Sequence, residues 1–146
     1  MNCDIRRLRA KEIMNSKVQW ATAHENLRVA AGRMAEHGIR ALLVAGAHDD
    51  DLPGIITSKD IVNLLGSHDA AVLDELHVSD AMTCPAICVP AQTNVRDCVN
   101  LMRMSGIRRM PVLDGTKVIG VLSSSDVFAA ALRPAEARAQ RRAALS

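Results

Sequence analysis

Gly120-Val121-Leu122-Ser123-Ser124-Ser125-Asp126-Val127 and, 66 residues earlier, Gly54-Ile55-Ile56-Thr57-Ser58-Lys59-Asp60-Ile61 share one pattern. Each runs glycine, two aliphatics, a hydroxyl residue, two variable positions, aspartate, aliphatic. The pattern predicts a buried strand that ends on the hydroxyl and turns into a helix begun by the aspartate. Such a turn suits a nucleotide: the hydroxyl and the free N–H groups of the new helix would face a phosphate. The carboxylate would accept hydrogen bonds from a ribose diol. A single copy describes an ordinary capped helix start equally well, with Asp60 or Asp126 merely resting near the positive end of the helix. Two matched copies favour ligand contact.

The repetition extends outward from these stretches. Lys11-Glu12-Ile13-Met14 lies 68 residues before Ser79-Asp80-Ala81-Met82, and Gly38-Ile39-Arg40 lies 68 before Gly106-Ile107-Arg108. Between them Leu27, Ala30, Ala31 and Met34 match Val95, Cys98, Val99 and Met102. The offset slips to 66 between Gly46 and Gly54, where one turn is longer than its counterpart, as a duplicated unit tolerates at a loop.

Each half therefore predicts β-α-β-β-α. A short extended piece (18–21 and 87–89) precedes a helix at about 25–37 and 94–105, whose apolar residues recur at i, i+3, i+4 and i+7. Thr22 and Glu25 suggest a capping box for the first of these helices. Gly38 and Gly106 are the expected C-terminal stops. Aliphatic strands follow at 41–45 and 110–113, then the glycine-to-aspartate stretches. Gly66 and Pro134 are expected to end the last helices, and 69–76 to form a linking helix. Alternating helices and buried strands give an α/β fold class.

Composition narrows the function. The 146 residues are 49% hydrophobic and 23% charged, a globular balance. Trp20 and Phe128 are the only aromatics, which disfavours base stacking on aromatic platforms. The net charge of +2 is concentrated at the ends: residues 1–12 carry net +2 and 133–146 net +3. Basic ends leave a nucleic-acid contact or an acidic partner open, although a solvated helix face is the commoner meaning of such a run. Neither a signal-type leader nor a membrane-length apolar run is visible, and the four cysteines fit reduced thiols. A cytoplasmic location is expected.

Other clusters carry less. His48-Asp49-Asp50-Asp51 offers oxygen ligands for a hard cation, but a polar turn explains it better. Cys84 and Cys88 lack a second ligand pair at zinc spacing, so no metal site is expected. Cys98 falls on an apolar helix face, and Cys84, if exposed, leaves redox sensing as a minor option. No catalytic arrangement can be supported from spacing, and the chain is not expected to be an enzyme.

The repeated Gly-h-h-[Ser/Thr]-x-x-Asp-h, the Met near each unit's start, and Gly-Ile-Arg leading into an aliphatic strand resemble a cystathionine β-synthase (CBS) domain pair. Ile107-Arg108-Arg109-Met110-Pro111-Val112-Leu113-Asp114-Gly115 is especially similar to the family's second-strand pattern. The resemblance implies two β-α-β-β-α repeats packed with pseudo-two-fold symmetry, at 8–66 and 78–132, with a linking helix at 67–77 and a basic tail at 133–146. It implies a regulatory ligand sensor that binds AMP, ADP or ATP, or S-adenosylmethionine or NAD, in clefts between the repeats, with no cofactor required. It also implies a homodimer that signals to an unidentified protein target. By motif position Asp60 and Asp126 would hold the ribose, with Thr57 and Ser123 beside the phosphate and Lys59, Arg108 and Arg109 as basic contacts. The adenine would lie near Val18 in one site and Ala86–Ile87 in the other. Leu43 stands where the second unit has Pro111, and Ala41 where it has Arg109. Two other readings remain, a nucleic-acid-associated protein using the basic termini and a structural stress protein whose clefts stay empty.

Overall fold

The computed structural model describes residues 4–133; Cys3, Pro134 and the arginine-bearing tail lie outside the described residues. In chain order come α1 (Ala10–Ile13), β1 (Trp20–Ala21), α2 (Leu27–His37), β2 (Ala41–Val44), β3 (Gly54–Thr57) and α3 (Ser58–Leu65). After α4 (Val72–Glu75) the series repeats as β4 (Val89–Pro90), α5 (Val95–Ser105), β5 (Arg109–Asp114), β6 (Lys117–Ser123) and α6 (Ser124–Leu132). The β-α-β-β-α order expected of each half is present twice, in an α/β fold.

The strands form two three-stranded sheets, ordered β1-β2-β3 and β4-β5-β6. In each, the first pair is parallel and the second antiparallel. A parallel pair needs a crossover, supplied by α2 and α5, whereas antiparallel neighbours can be joined directly. Gly115, at φ 62°, makes the tight turn between β5 and β6.

Capping sets the helix limits. Asn26 accepts from the Arg28 and Val29 amides, and Asn94 from that of Asp97. The expected Thr22–Glu25 box is therefore corrected: the Thr22 amide does reach Glu25 Oε2 at 3.4 Å, but α2 starts at Leu27, because Asn26 takes the first orphan N–H groups. Glu25 is instead ion-paired with Arg33. The glutamate thus ties down the helix flank instead of opening it. Gly38 (φ 63°) and Gly106 (φ 72°) end α2 and α5 in the left-handed conformation, as expected. Gly66 ends α3, and the linking helix shrinks to α4.

The chain folds as two compact units that cut across the order of the repeats. Residues 18–86 form one; residues 4–17 join 87–133 in the other. In the first unit Leu27, Ala30 and Met34, one stripe of α2, pack on Leu42, Val44 and Ile56 of the sheet, with Leu73 and Val78 closing the core from the segment after α3. In the second unit Val95, Cys98 and Met102 pack on Met110, Val112 and Leu122, and Leu8, Ala10 and Ile13 complete that core from the start of the chain. A fully buried leucine of this kind stabilises its unit by about 1.5–3 kcal/mol.

These added segments dock in the same way. The Asn15 and Val121 backbones exchange two hydrogen bonds of 2.9 Å, and so do Thr83 and Ile55. The glycine of each repeated motif permits the approach. A Cβ on Gly120 would stand 2.5 Å from Met14 Sδ and 2.9 Å from the Asn15 carbonyl; on Gly54 it would stand 3.1 Å from the Thr83 carbonyl and 3.3 Å from Met82 Sδ. The repeated Gly and the repeated Met are two halves of one contact.

Candidate ligand-binding site

Each repeated motif forms a reciprocal cap at a helix start, with the hydroxyl residue as N-cap and the aspartate at the third helical position. The helices therefore begin at Ser58 and Ser124, two residues before the aspartates that were expected to open them. Asp60 Oδ2 accepts from the Thr57 amide (2.8 Å) and hydroxyl (2.9 Å), while the Asp60 amide donates back to Thr57 Oγ1 at 3.2 Å. Ser123 and Asp126 repeat these bonds at 2.8, 2.9 and 3.2 Å. Two consequences follow from the donor inventory. Oδ2 of each carboxylate is occupied by two donors, while Oδ1 accepts no hydrogen bond among the described residues. The proton of each hydroxyl is committed to the carboxylate. In this arrangement Thr57 and Ser123 orient an aspartate, and either must rotate its hydroxyl to donate to a phosphate.

Strand register gathers most of the remaining candidates at one end of each sheet. In the first unit Ala41 opens β2 opposite Thr57, the last residue of β3, and half-buried Val18 enters β1 beside them. In the second unit Arg109 opens β5 opposite Ser123, and exposed Ile87 enters β4. Directly opposed residues share a sheet face, so half-buried Arg109 lies on the Ser123 side and Met110 turns into the core with Leu122. Arg108, one residue outside the strand, is exposed. Its carbonyl accepts the Ser124 amide, as that of Arg40 accepts the Ser58 amide, both at 2.9 Å. Lys59 is exposed on the first turn of α3. Ala86 is buried, donates its amide to the Pro53 carbonyl at 2.8 Å, and belongs to the first unit. Ile87, the next residue, leads into β4 of the second unit.

The two ends differ at one backbone bond. Leu43 donates its amide to the Gln19 carbonyl at 3.0 Å, and Trp20 pairs with Leu43. The equivalent donor in the second unit would be Pro111, which has no N–H. The Cys88–Pro111 rung is absent, and β4 starts one residue late, at Val89. Sequence inspection flagged Leu43 and Pro111 as unlike but not Gln19, since a side-chain pattern carries no sign of a backbone carbonyl.

Asp51 accepts the His48 amide in a turn. Among the described residues no group of three or more His, Cys, Asp or Glu is placed to hold a metal ion, and no helix is long and apolar enough to cross a membrane. Cys98 is fully buried and its thiol is pushed up to about 11 by that burial, with Asp97 adding to the effect. Burial also raises Cys88, whereas Cys84 is exposed.

Two CBS domains match the chain, at residues 10–67 and 78–133, and the protein belongs to the CBS-domain family. CBS-domain pairs are regulatory modules and commonly bind adenosine-containing ligands. Among relatives, Hypoxic response protein 1 of Mycobacterium tuberculosis is 34% identical over 122 residues, 81% of each chain. A crystal structure of Hypoxic Response Protein I with two coordinated zinc ions has a TM-score of 0.69 at 28% identity, covering 87% of this chain and all of that one. A hexameric CBS-CP12 protein from bloom-forming cyanobacteria has a TM-score of 0.76 at 31% identity, covering 83% and 69% of the two chains.

Proposed function

We propose that this protein binds an adenosine-containing ligand at the ends of its two sheets and reports the ligand's presence to a protein partner. AMP, ADP and ATP are the first candidates; S-adenosylmethionine and NAD share the same adenosyl group. The observation that carries the reading is the pair of aspartates, Asp60 and Asp126. Each is held by one oxygen in a rigid cap while the other oxygen has no donor among the described residues. A ribose diol supplies two O–H donors, which matches the vacant lone pairs of one carboxylate oxygen. Lys59, Arg108 and Arg109, with the positive ends of α3 and α6, favour a phosphate. Val18 and Ile87 would lie against the base. The ligand shifts the protein between states only by its difference in affinity for them.

A homodimer fits this role. Val62 and Leu65 on α3, and Phe128 and Leu132 on α6, are exposed apolar residues on the helices that begin with the aspartates. Self-association through them would connect ligand occupancy to assembly, and the hexameric relative supports an oligomer.

The test is thermal unfolding with AMP, ADP, ATP, S-adenosylmethionine and NAD, for the wild type and for Asp60→Ala/Asp126→Ala. Loss of each cap alone costs about 1 kcal/mol, so the readout is the ligand-induced increment above each protein's own baseline. A ligand at about 100 times its dissociation constant adds roughly 2.7 kcal/mol, several degrees for a chain of this length. An increment in the wild type that vanishes in the double variant is expected. No increment with any of the five, in a cooperatively melting protein, refutes the nucleotide reading.

A further inference from the structure

We infer that the second unit carries, at Arg6, Arg7 and Arg96, a docking surface for a carboxylate-bearing segment of a partner protein; this rests on the partner half of the function proposed above. The two units hold their added segments by matching backbone bonds. In the first, the Leu27 amide donates to the Leu76 carbonyl and the Val78 amide to that of Glu25, both at 2.9 Å. In the second, the Val95 amide donates to the Leu8 carbonyl at 2.7 Å and the Ala10 amide to that of Thr93 at 2.8 Å. This register places Arg6 and Arg7 where the first unit has Asp74 and Glu75, and Arg96 where it has Arg28.

In the first unit this register closes an ion pair. Arg28 donates from Nε to Asp74 Oδ1 at 2.6 Å and from Nη2 to the Ala70 carbonyl at 2.9 Å. In the second unit the same two positions, Arg96 and Arg6, are both cationic. The acids beside them are Asp4, 2.8 Å from Arg6, and Asp97, 3.7 Å from Arg96. Arg7 makes no ion pair among the described residues, and Arg9 is bonded to neutral Gln92. Four guanidinium groups against two carboxylates leave the surface basic. Exposed Arg103, two helical turns along α5 from Arg96 where α2 has Ala35, extends it. Arg28 shows what an arginine at this position takes: a carboxylate and a carbonyl from one short acidic stretch. A guanidinium fork suits that two-point contact, and an acidic segment seated on Arg96 would supply both while Arg6 and Arg7 face its further carboxylates. A nucleic acid fits less well, because Asp4 and Asp97 oppose a continuous run of phosphates. Neither residues 4–9 nor α5 carries an aromatic side chain to stack a base.

Fluorescence anisotropy with labelled oligoglutamate tests this on the wild type, Arg7→Glu/Arg96→Glu and Lys17→Glu/Lys117→Glu. Oligoglutamate is expected to bind the wild type, less well as salt rises past about 0.15 M, and about tenfold more weakly to the arginine variant. The lysine variant imposes the same change of charge on exposed residues of the same unit off α5, and is expected to bind as the wild type does. No binding of oligoglutamate, an equal loss in the lysine variant, or tighter binding of oligothymidylate than of oligoglutamate overturns the inference. Self-association seen by sedimentation and lost in the arginine variant, in a protein that ignores oligoglutamate, assigns the surface to a second copy and overturns it too. Should the arginine variant fail to fold, the neutral Arg7→Gln/Arg96→Gln takes its place, and unchanged binding there refutes the surface. The thermal increment from an adenosyl compound is expected to persist in every variant. Its absence from the wild type removes the ligand reading and leaves this surface to be judged by oligoglutamate alone.

Discussion

Replacing Gly120 with alanine probes the contact that holds the N-terminal segment to the second unit. The new methyl would stand 2.5 Å from Met14 Sδ, 2.9 Å from its Cγ and 2.9 Å from the Asn15 carbonyl oxygen. Ordinary carbon contacts sit at about 3.5–4.0 Å, so Met14 must retreat by about 1 Å, which a flexible thioether side chain can do. The carbonyl cannot retreat alone. It accepts the Val121 amide while the Asn15 amide donates to Val121, both at 2.9 Å, and moving it strains both bonds. Overpacking at about 1–3 kcal/mol with partial loss of two hydrogen bonds of about 1 kcal/mol each gives an expected cost of about 2–4 kcal/mol. For a chain of this length that lowers Tm by about 5–15 °C. Gly54→Ala is the internal control. Its methyl would meet the Thr83 carbonyl at 3.1 Å and Met82 Sδ at 3.3 Å, contacts that relax by a few tenths of an ångström, for a cost of about 1 kcal/mol. Adding Met14→Ala to Gly120→Ala should recover only the side-chain part. Calorimetric melting measures the costs, and amide hydrogen exchange at Asn15 and Val121 shows whether the segment has lifted. A Gly120→Ala protein that melts within a degree of wild type, with both amides protected, would refute the reasoning.

Asn26→Ala should lower stability by about 1 kcal/mol, since Asn26 caps α2 and also donates from Nδ2 to the Asp74 carbonyl at 3.0 Å; an unchanged denaturation midpoint would count against that cap. Cys84 should react with a thiol reagent in the native protein, whereas Cys98 should react only at the rate of unfolding. The Cys98 thiol, at about 11 when folded against an ordinary value of 9.0, makes the folded state hold its proton more tightly. Its contribution is fully present below pH 9 and is lost as pH rises from 9 toward 11. The stability advantage of wild type over Cys98→Ala should therefore be flat below pH 9 and shrink above it; a difference constant to pH 11 would contradict the burial of that thiol.

Whatever rests on neighbours along the chain was legible from the residues alone. The duplicated β-α-β-β-α order, the glycine stops at Gly38 and Gly106, and the pairing of a hydroxyl with an aspartate three residues on all follow from propensity, periodicity and capping, which act within a few residues. The helix starts were less legible. Asn26 competed with Thr22 and Glu25 for one role, and Glu25 was drawn away by Arg33 eight residues on. Of the candidate site, the aspartates and their hydroxyl partners were readable, but not that the hydroxyl proton is committed to the carboxylate. That residues 4–17 complete the second repeat and residues 69–86 the first emerges from the fold, because Leu8, Ile13, Leu73 and Val78 would suit either core by hydrophobicity. It alone gave the repeated Gly its meaning as a docking point for the repeated Met. Side-chain patterns record which residues prefer burial, whereas which backbone donor meets which acceptor is fixed only when strands far apart in the chain come into register.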